Sequence, residues 1–308
     1  MESCLSNIQR SAGSARVEIV VVDGNRDSTL REVARRFGAA YVHEARSGMG
    51  VARNAGIRAA TARIVAFTDD DCEVESKWTL KIIEKFSGDH ELAVVGGLDL
   101  TPNGSSFFQT SIGLLDDLRG APKQGPDLAR RILNCNVAYV KRAVVACGGY
   151  DETFEICEDQ ELHLRLFKMG YKFCFNSQII VYHKRRGSPS EFLRRVFWYG
   201  YWSSRVFQKH PRLFARTTGI LPPTALAAFL LGAAFAFSAG FYAPLVLTIL
   251  AALAYEVVWG LKIALLRPNS WRSLPVAMLA LPIRNIAMAL GFLAGMFRYI
   301  VTFPKARL

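Results

Sequence analysis

Charged residues are missing from one long stretch of this 308-residue chain, and acidic residues are nearly absent from its C-terminal part. No charge occurs from Thr217 to Tyr255, and residues 217–308 contain a single acidic residue, Glu256. An uncharged run of this length accommodates one membrane helix, a turn and most of a second helix. We therefore predict transmembrane α-helices near residues 220–239 and 244–261.

A third apolar stretch, Leu274 to Phe303, is interrupted by Arg284 and Arg298. It either crosses the bilayer as a third helix, or its first part, Leu274–Ile283, forms a separate short helix in the interface. With either alternative we expect a multi-pass protein of the cell membrane.

An N-terminal apolar core and closely paired cysteines are also lacking. Residues 1–16 are polar, which argues against a signal peptide. The six cysteines form no CxxC pair, so free thiols in a reducing compartment fit better than disulfides or zinc. We expect the soluble part to be cytoplasmic.

Basic residues concentrate just before the uncharged run. Residues 184–216 carry nine Lys and Arg against one acidic residue, whereas residues 1–183 carry 22 Lys and Arg against 24 Asp and Glu. A basic excess beside apolar spans favours anionic membrane lipids as partners, and no nucleic acid. We predict three segments: a soluble domain at 1–183, a basic and aromatic juxtamembrane segment at 184–216, and a membrane domain at 217–308.

The aromatic residues of the juxtamembrane segment are predicted to form an interfacial belt. They are Phe192, Phe197, Trp198, Tyr199, Tyr201 and Trp202.

Residues 17–183 alternate between strand-like and helix-like patterns. Strands are predicted at 17–22, 39–43, 64–68, 92–96 and 178–182, and helices at 29–37, 50–60 and 77–86. This alternation predicts an α/β fold, with a mostly parallel sheet and helices on both faces.

Three consecutive aspartates, Asp69, Asp70 and Asp71, follow the apolar run at residues 64–67. Like charges this close repel unless a cation offsets them, and the carboxyl ends of buried strands are where α/β sheets bind ligands. Hard carboxylate oxygens suit Mg²⁺ or Mn²⁺ on a substrate phosphate. Taken alone, the cluster could equally be a solvated acidic turn.

Other motifs accompany this cluster in a characteristic order. They are Val20-Val-Val-Asp-Gly-Asn-Arg-Asp-Ser-Thr29, Gly48-Met-Gly-Val-Ala-Arg-Asn-Ala-Gly56, Phe67-Thr-Asp-Asp-Asp-Cys72, Asn134-Cys-Asn-Val-Ala-Tyr139, Gly148-Gly-Tyr-Asp-Glu152, Cys157-Glu-Asp-Gln-Glu-Leu162 with Arg165, Gly170-Tyr171, Tyr182-His183 and Tyr199-Gly-Tyr-Trp202. Together they resemble the family 2 glycosyltransferases, which have the GT-A nucleotide-sugar-binding fold. The aromatic segment ahead of membrane helices is similar to exopolysaccharide transferases of the succinoglycan type.

The resemblance implies roles at the donor. Asp69 and Asp71 match the family's DxD pair, which binds metal and nucleotide, and Asp70 lies in the same turn. His183 is a weaker candidate metal ligand, equally interpretable as a structural histidine.

Asp23, Asp27 and Arg53 match nucleotide contacts in the family. The alternatives are turn closure for Asp23 and a solvated helix position for Arg53.

The resemblance also implies the acceptor chemistry. Asp159 in the ED motif would be the general base, with Glu158 beside it as the second catalytic candidate. Glu161 and Arg165 have the spacing of a surface helix pair. The family's single displacement implies inversion at the anomeric carbon.

One family element is missing. The family begins with a strand of the Val-Ser-Val-Ile-Ile-Pro type, whereas here Met1 is followed directly by the helix-like Cys4-Leu-Ser-Asn-Ile8. We expect either a start upstream of Met1 or a domain without this central strand.

The resulting expectation is a membrane-anchored glycosyltransferase, with a divalent metal, a nucleotide-sugar donor and a lipid-linked or surface-glycan acceptor. The alternatives are a polyprenyl-phosphate sugar synthase and a catalytically inactive membrane scaffold.

Overall fold

The computed structural model describes residues 1–25, 28–117, 128, 131–215 and 272–302, with six isolated positions between 238 and 261. The chain divides into two units. Unit 1 comprises residues 1–102 and 121–184, and unit 2 comprises residues 103–120 and 185–308. Residues 103–120 thus group with unit 2, although they lie inside the range 1–183 predicted as one domain.

The described helices and strands of unit 1 alternate along the chain. They are α1 Glu2–Ala12, β1 Val20–Asp23, α2 Ser28–Arg36, β2 Ala40–His43, α3 Met49–Ala59, β3 Ile64–Phe67, β4 Cys72–Val74, α4 Trp78–Gly88, β5 Leu92–Leu100, β6 Val137–Val140, α6 Lys141–Ala146, α7 Glu158–Lys168 and β7 Lys172–His183. A 3₁₀ turn, Asn134–Asn136, precedes β6. The described elements of unit 2 are α5 Phe107–Asp117, α8 Pro189–Lys209, α9 Pro211–Ala215 and α10 Leu274–Thr302.

The sheets of unit 1 are mixed, so the prediction of a mostly parallel sheet is wrong. β1 and β2 pair in parallel, and the other five strands form a sheet in the order β3-β6-β5-β7-β4. In this larger sheet β5 and β7 are the one neighbouring pair that is parallel among the described strands, and the other three pairs are antiparallel. β4 begins five residues after β3 ends, too short a connection for the crossover helix that parallel strands require.

The two-stranded and five-stranded sheets are separate. No strand among the described residues joins β1 to β3 by sheet pairing. The expectation that a central strand is missing or lies upstream stays a prediction.

The core of unit 1 lies against the five-stranded sheet. Helix α4 buries Trp78, Ile82 and Phe86, which recur every four residues and so lie on one helical face. β5 buries its first six residues in succession, as a central strand covered on both faces does. The carboxyl ends of β3, β5 and β7 supply the polar residues described below.

Asn136 holds β5 and β7 together where their register shifts, between Gly97 and Leu98. Its side-chain amide donates to the carbonyl oxygens of Leu98 at 2.7 Å and Ile179 at 3.0 Å, and accepts from the Trp78 indole at 2.8 Å. A Cβ atom on Gly97 would lie 1.9 Å from the Ile179 carbonyl oxygen. The close approach of the strands therefore requires glycine.

We expect Gly97→Ala to lower the free energy of unfolding by about 1–3 kcal/mol, which is the usual cost of overpacking. The value should lie at the upper end of this range because the opposing atom belongs to the backbone. Urea unfolding of the full chain, followed by circular dichroism, measures the change. Gly88→Ala is the matched control, since nothing lies within 4 Å of a Cβ there. Equal unfolding midpoints for both variants would contradict the prediction.

In unit 2, helices α8 and α10 pack with their backbones unusually close. A Cβ on Gly200 of α8 would lie 2.0 Å from the Met288 carbonyl oxygen, and one on Gly291 of α10 would lie 1.9 Å from that of Phe197. Glycine thus permits the contact, as small residues do between membrane helices. Trp202 is buried, whereas 41% of Trp198 is exposed, so the aromatic set of α8 does not lie on a single outward face.

Helix α10 contradicts one of the two alternatives predicted for the third apolar stretch. It runs without a break through Pro282, so a separate short helix at Leu274–Ile283 is wrong. Its stretch Leu274–Tyr299 is the one described helix with the length and composition to cross a bilayer. The spans predicted at 220–239 and 244–261 lie almost entirely outside the described residues, so multiple transmembrane helices are not shown.

Candidate functional site

The three aspartates occupy the turn between β3 and β4. Asp70 is exposed, and the side chains of Asp69 and Asp71 are 31% and 48% exposed. The antiparallel register of β4 and β7 places Cys72 directly opposite His183. As a result, His183 Nε2 lies 3.5 Å from Asp71 Oδ1. The structure therefore brings together the three side chains that were predicted to bind metal.

Asp99, near the end of β5, is a further carboxylate at this site that we did not predict. Its side chain is 8% exposed, and its Oδ1 lies 3.8 Å from His183 Nδ1. Burial lowers the pKa of His183, but its interactions with Asp71 and Asp99 outweigh this and raise the pKa to about 10. A lone carboxylate near the end of an apolar strand was the available sequence signal.

The donor atoms at this end of the sheet suit a divalent cation. One ligand atom from each of Asp69, Asp71, Cys72 and His183 lies within 4.8 Å of all the others. Carboxylate oxygens with an imidazole nitrogen are ligands for Mn²⁺ and Mg²⁺. The residues present therefore fit the expected metal.

The ED motif lies at the N-terminus of α7. Cys157, just before it, has φ 67°, a left-handed conformation that is uncommon for a residue other than glycine. Asp159 Oδ1 accepts a hydrogen bond from the Gln160 backbone N–H at 2.7 Å. Burial raises the pKa of Asp159, although the guanidinium of Arg53 and these backbone donors oppose the rise. A general base that acts near neutral pH is most effective when its pKa is raised toward that pH.

Arg53 links the two acidic motifs. Its Nη1 donates to Glu158, in a close ion pair, and its Nη2 lies 3.4 Å from Asp69 Oδ1. The side chains of Arg53 and Glu158 are 9% and 8% exposed, so the alternative of a solvated helix arginine is wrong. Burial and the neighbouring Asp159 raise the pKa of Glu158, while Arg53 opposes the rise.

Asn134 completes this buried group, and sequence reasoning assigned it no role. Its amide donates to Glu158 Oε1 at 3.1 Å and accepts from the Tyr150 hydroxyl at 2.7 Å. Glu158 is therefore held on two sides, which gives it a positioning function.

Asp23 lies at the end of β1 and is buried. Its carboxylate accepts from the Asn25 backbone N–H and from the Tyr41 hydroxyl, each at 2.8 Å. This is the turn-closing arrangement given above as the alternative, and nucleotide contact by Asp23 stays a prediction. Asp27 lies outside the described residues.

Glu161 and Arg165 do not form a surface pair. Glu161 is fully buried, and Arg165 Nη2 lies 2.6 Å from its carboxylate. The Arg165 guanidinium also donates to the carbonyl oxygen of Gly149 at 2.7 Å. The pair therefore anchors the Gly148-Gly149 turn to α7.

Comparison with known proteins found similarity to sugar-transferring enzymes. Residues 1–147 match the model of Glycosyl transferase family 2. Glycosyltransferase AglE of Haloferax volcanii is 25% identical over 206 residues, covering 64% of this chain and 66% of the relative. Pre-mycofactocin glycosyltransferase of Mycobacterium tuberculosis is 26% identical over 177 residues, covering 55% of this chain and 37% of the relative. The matches thus span less than two thirds of either relative.

The fold is also that of a solved structure. The mannosyltransferase PcManGT from Pyrobaculum calidifontis, in complex with GDP-Man and Mn²⁺, superposes with a TM-score of 0.60 at 22% identity. The match covers 95% of this chain and 82% of that protein. Unit 1 therefore has the GT-A fold.

Proposed function

We propose that this chain, whose residues 1–147 match the model of glycosyl transferase family 2, transfers a sugar from a nucleotide-sugar donor to an acceptor hydroxyl with the help of a divalent metal. The observation that carries the proposal is the double contact of Arg53. One buried guanidinium holds the DxD aspartate Asp69 and the ED glutamate Glu158. The aspartate turn, which would bind the donor, and the ED motif, whose Asp159 would activate the acceptor, are thereby fixed side by side.

At the donor end, Asp69, Asp71 and His183 would hold the metal, with Asp70 exposed beside them. Such an ion, when bound, neutralises the diphosphate leaving group. Its preference between Mn²⁺ and Mg²⁺ would follow His183, since an imidazole ligand suits Mn²⁺ better than Mg²⁺. Asp23, at the end of β1, would orient the base, and Asp27 is a further candidate contact to the nucleotide.

At the acceptor end, Asp159 accepts the proton of the attacking hydroxyl while Glu158 and Arg53 fix the start of α7. The hydroxyl then attacks the anomeric carbon from the face opposite the leaving diphosphate, which inverts the configuration. Because one carboxylate suffices for this single displacement, Glu158 needs no direct contact with the substrate.

We also propose that the acceptor is carried by a membrane lipid. Helix α10 has the length and composition to cross a bilayer, and α8 carries exposed Trp198 together with several arginines. Aromatic and basic residues are typical of the membrane interface. A polyprenyl-phosphate acceptor would be the alternative within this class.

The proposed function is tested by incubating the full chain with a panel of nucleotide sugars and membrane lipids, with Mn²⁺ or with a chelator. We expect metal-dependent release of a nucleoside diphosphate and labelled sugar in the lipid extract. Mild acid hydrolysis of the extract separates a sugar linked to phosphate from one on a glycan hydroxyl. No release with any donor would refute the proposal.

Asp71→Ala should raise the Mn²⁺ concentration for half-maximal activity at least about tenfold, because a direct ligand is lost. Glu73→Ala is the matched control. It removes an equal charge two residues away, on the exposed position of β4, and should leave the Mn²⁺ dependence as in the wild type. An unchanged Mn²⁺ requirement in Asp71→Ala would contradict the ligand assignment.

A further inference from the structure

A cluster of thiols and imidazole lies directly beside the proposed oxygen-rich metal site. One ligand atom from each of Cys72, Cys135 and His183 lies within 4.8 Å of the other two. Both cysteines are free and buried, with exposures of 1% and 4%. Nothing in the transfer reaction requires two thiols at this position.

The fold fixes these three residues from three separate elements. Cys72 begins β4 and pairs across the sheet with His183 at the end of β7. Cys135 lies in the 3₁₀ turn before β6, where its neighbour Asn136 hydrogen-bonds to β5 and β7. The cluster is therefore anchored by the sheet and not by mobile loops. Cys72 and His183 are 111 positions apart in the sequence, so their spacing did not predict the cluster.

The distances suit a tetrahedral ion. Zinc–sulfur bonds of about 2.3 Å and zinc–nitrogen bonds of about 2.0 Å place the ligand atoms roughly 3.4–3.8 Å apart. Asp71 Oδ1 lies 3.8 Å from Cys72 Sγ and 3.5 Å from His183 Nε2. Asp71 thus lies at tetrahedral spacing from both Cys72 and His183, and the ligand atoms of Cys72, Cys135 and His183 all lie within 4.8 Å of one another.

The thiols change the metal preference of this end of the sheet. Soft thiolate ligands select Zn²⁺ over Mg²⁺ and Mn²⁺, whereas the carboxylates of the neighbouring set favour the harder ions. Cys72 and His183 belong to both sets. One imidazole nitrogen cannot bind both ions at once, so the two sites exclude each other.

We propose that Cys72, Cys135 and His183 form a soft-metal site that binds Zn²⁺, and that Zn²⁺ bound there displaces Mn²⁺ from the transferase site. Each thiol loses its proton as its sulfur–zinc bond forms, so two protons pass to solvent and no electron is transferred. The displacement part rests on the proposed function, while zinc binding itself does not.

The first test uses Co²⁺ alone as a spectroscopic probe of thiolate ligation in the reduced full chain. We expect a near-ultraviolet thiolate-to-cobalt charge-transfer band that one equivalent of Zn²⁺ abolishes. Cys135→Ser, a nearly isosteric change, should lose most of the band and weaken Zn²⁺ binding at least about tenfold. Cys174→Ser, at a partly buried cysteine outside the cluster, should retain both.

The second test follows bound Mn²⁺ by electron paramagnetic resonance, without any sugar donor. Zn²⁺ should release Mn²⁺ from the wild type at near-stoichiometric concentration, and Cys135→Ser should require at least about tenfold more Zn²⁺. Absence of the cobalt band in the wild type, or an equal band in Cys135→Ser, would overturn the soft site. Cobalt binding through thiolates in a protein that transfers no sugar would support the soft site and refute the proposed function alone.

Discussion

Asp159→Asn should lower the rate of sugar transfer by about 10²–10⁴-fold, the range of a general-base contribution, while the donor still binds. The amide keeps the shape of the carboxylate and can still accept the hydrogen bond from the Gln160 backbone N–H. It cannot take the proton of the acceptor hydroxyl. Single-turnover transfer of labelled sugar gives the rate, and titration with the nucleoside diphosphate and Mn²⁺ gives the affinity.

The pH dependence of transfer by the wild type tests the role of Asp159 independently. Burial raises the pKa of Asp159 above that of an ordinary aspartate, about 3.9. Below this raised pKa Asp159 is protonated and cannot act as a base, so kcat/KM should fall as the pH drops through it. The acidic limb should disappear from the residual activity of Asp159→Asn. Glu155→Gln, the same chemical change at an exposed position ahead of α7, should preserve both the rate and the limb.

In Asp159→Asn the free energy of unfolding should not fall with the activity. A carboxylate whose folded pKa is raised favours the folded state most when protonated, and it loses that contribution as the pH rises through the folded pKa. At neutral pH a neutral asparagine avoids this cost, so Asp159→Asn should be at least as stable as the wild type. A variant that lost both transfer and stability would point to a structural role for Asp159 instead.

The local chemistry of the site was more predictable from the sequence than its surroundings. An apolar strand that ends in three aspartates fixes their position at the sheet edge, because strands of an α/β domain deliver their carboxyl ends to the ligand side. Asp69, Asp71 and His183 come together as expected. Strands β4 and β6, which make the sheet mixed, were not predicted, and strand periodicity is in any case the same in parallel and antiparallel pairs.

Residues that act through tertiary contacts were also beyond the sequence. Asn134 and Asp99 have no local signal that distinguishes them from ordinary polar residues, and the site residues they contact, Glu158 and His183, lie more than twenty residues away. The glutamate and arginine of α7 have surface-like spacing, yet Glu161 is fully buried because the Gly148-Gly149 turn packs over the helix. Burial depends on what another part of the chain covers, which spacing along one helix does not encode.

Arg53→Ala should destabilise unit 1 by about 3–5 kcal/mol, the cost of breaking a buried ion pair by removing one partner. Removal of the guanidinium leaves the Glu158 carboxylate buried next to Asp159 without its cation. The Asn134 amide still donates a hydrogen bond to it. Burial and Asp159 already raise the pKa of Glu158, so the variant should recover part of the loss at low pH, where Glu158 takes up a proton. The urea midpoint of the full chain, followed by hydrogen exchange of α3 and β3 amides, measures the change in unit 1.

Arg58→Ala is the matched control. Arg58 lies on the same helix as Arg53, but its side chain is 59% exposed, and its Nη2 forms an ion pair with Glu44 Oε2 at 3.5 Å. Exposed pairs contribute little, so its midpoint should stay near that of the wild type. Combining Arg53→Met with Glu158→Gln should restore much of the stability, since the buried charge is then removed with its partner. The double variant should still transfer poorly, because Asp69 and α7 would no longer be held by one guanidinium. If Arg53→Ala unfolded at the same urea concentration as Arg58→Ala, the ion pair would not be what fixes the two acidic motifs side by side.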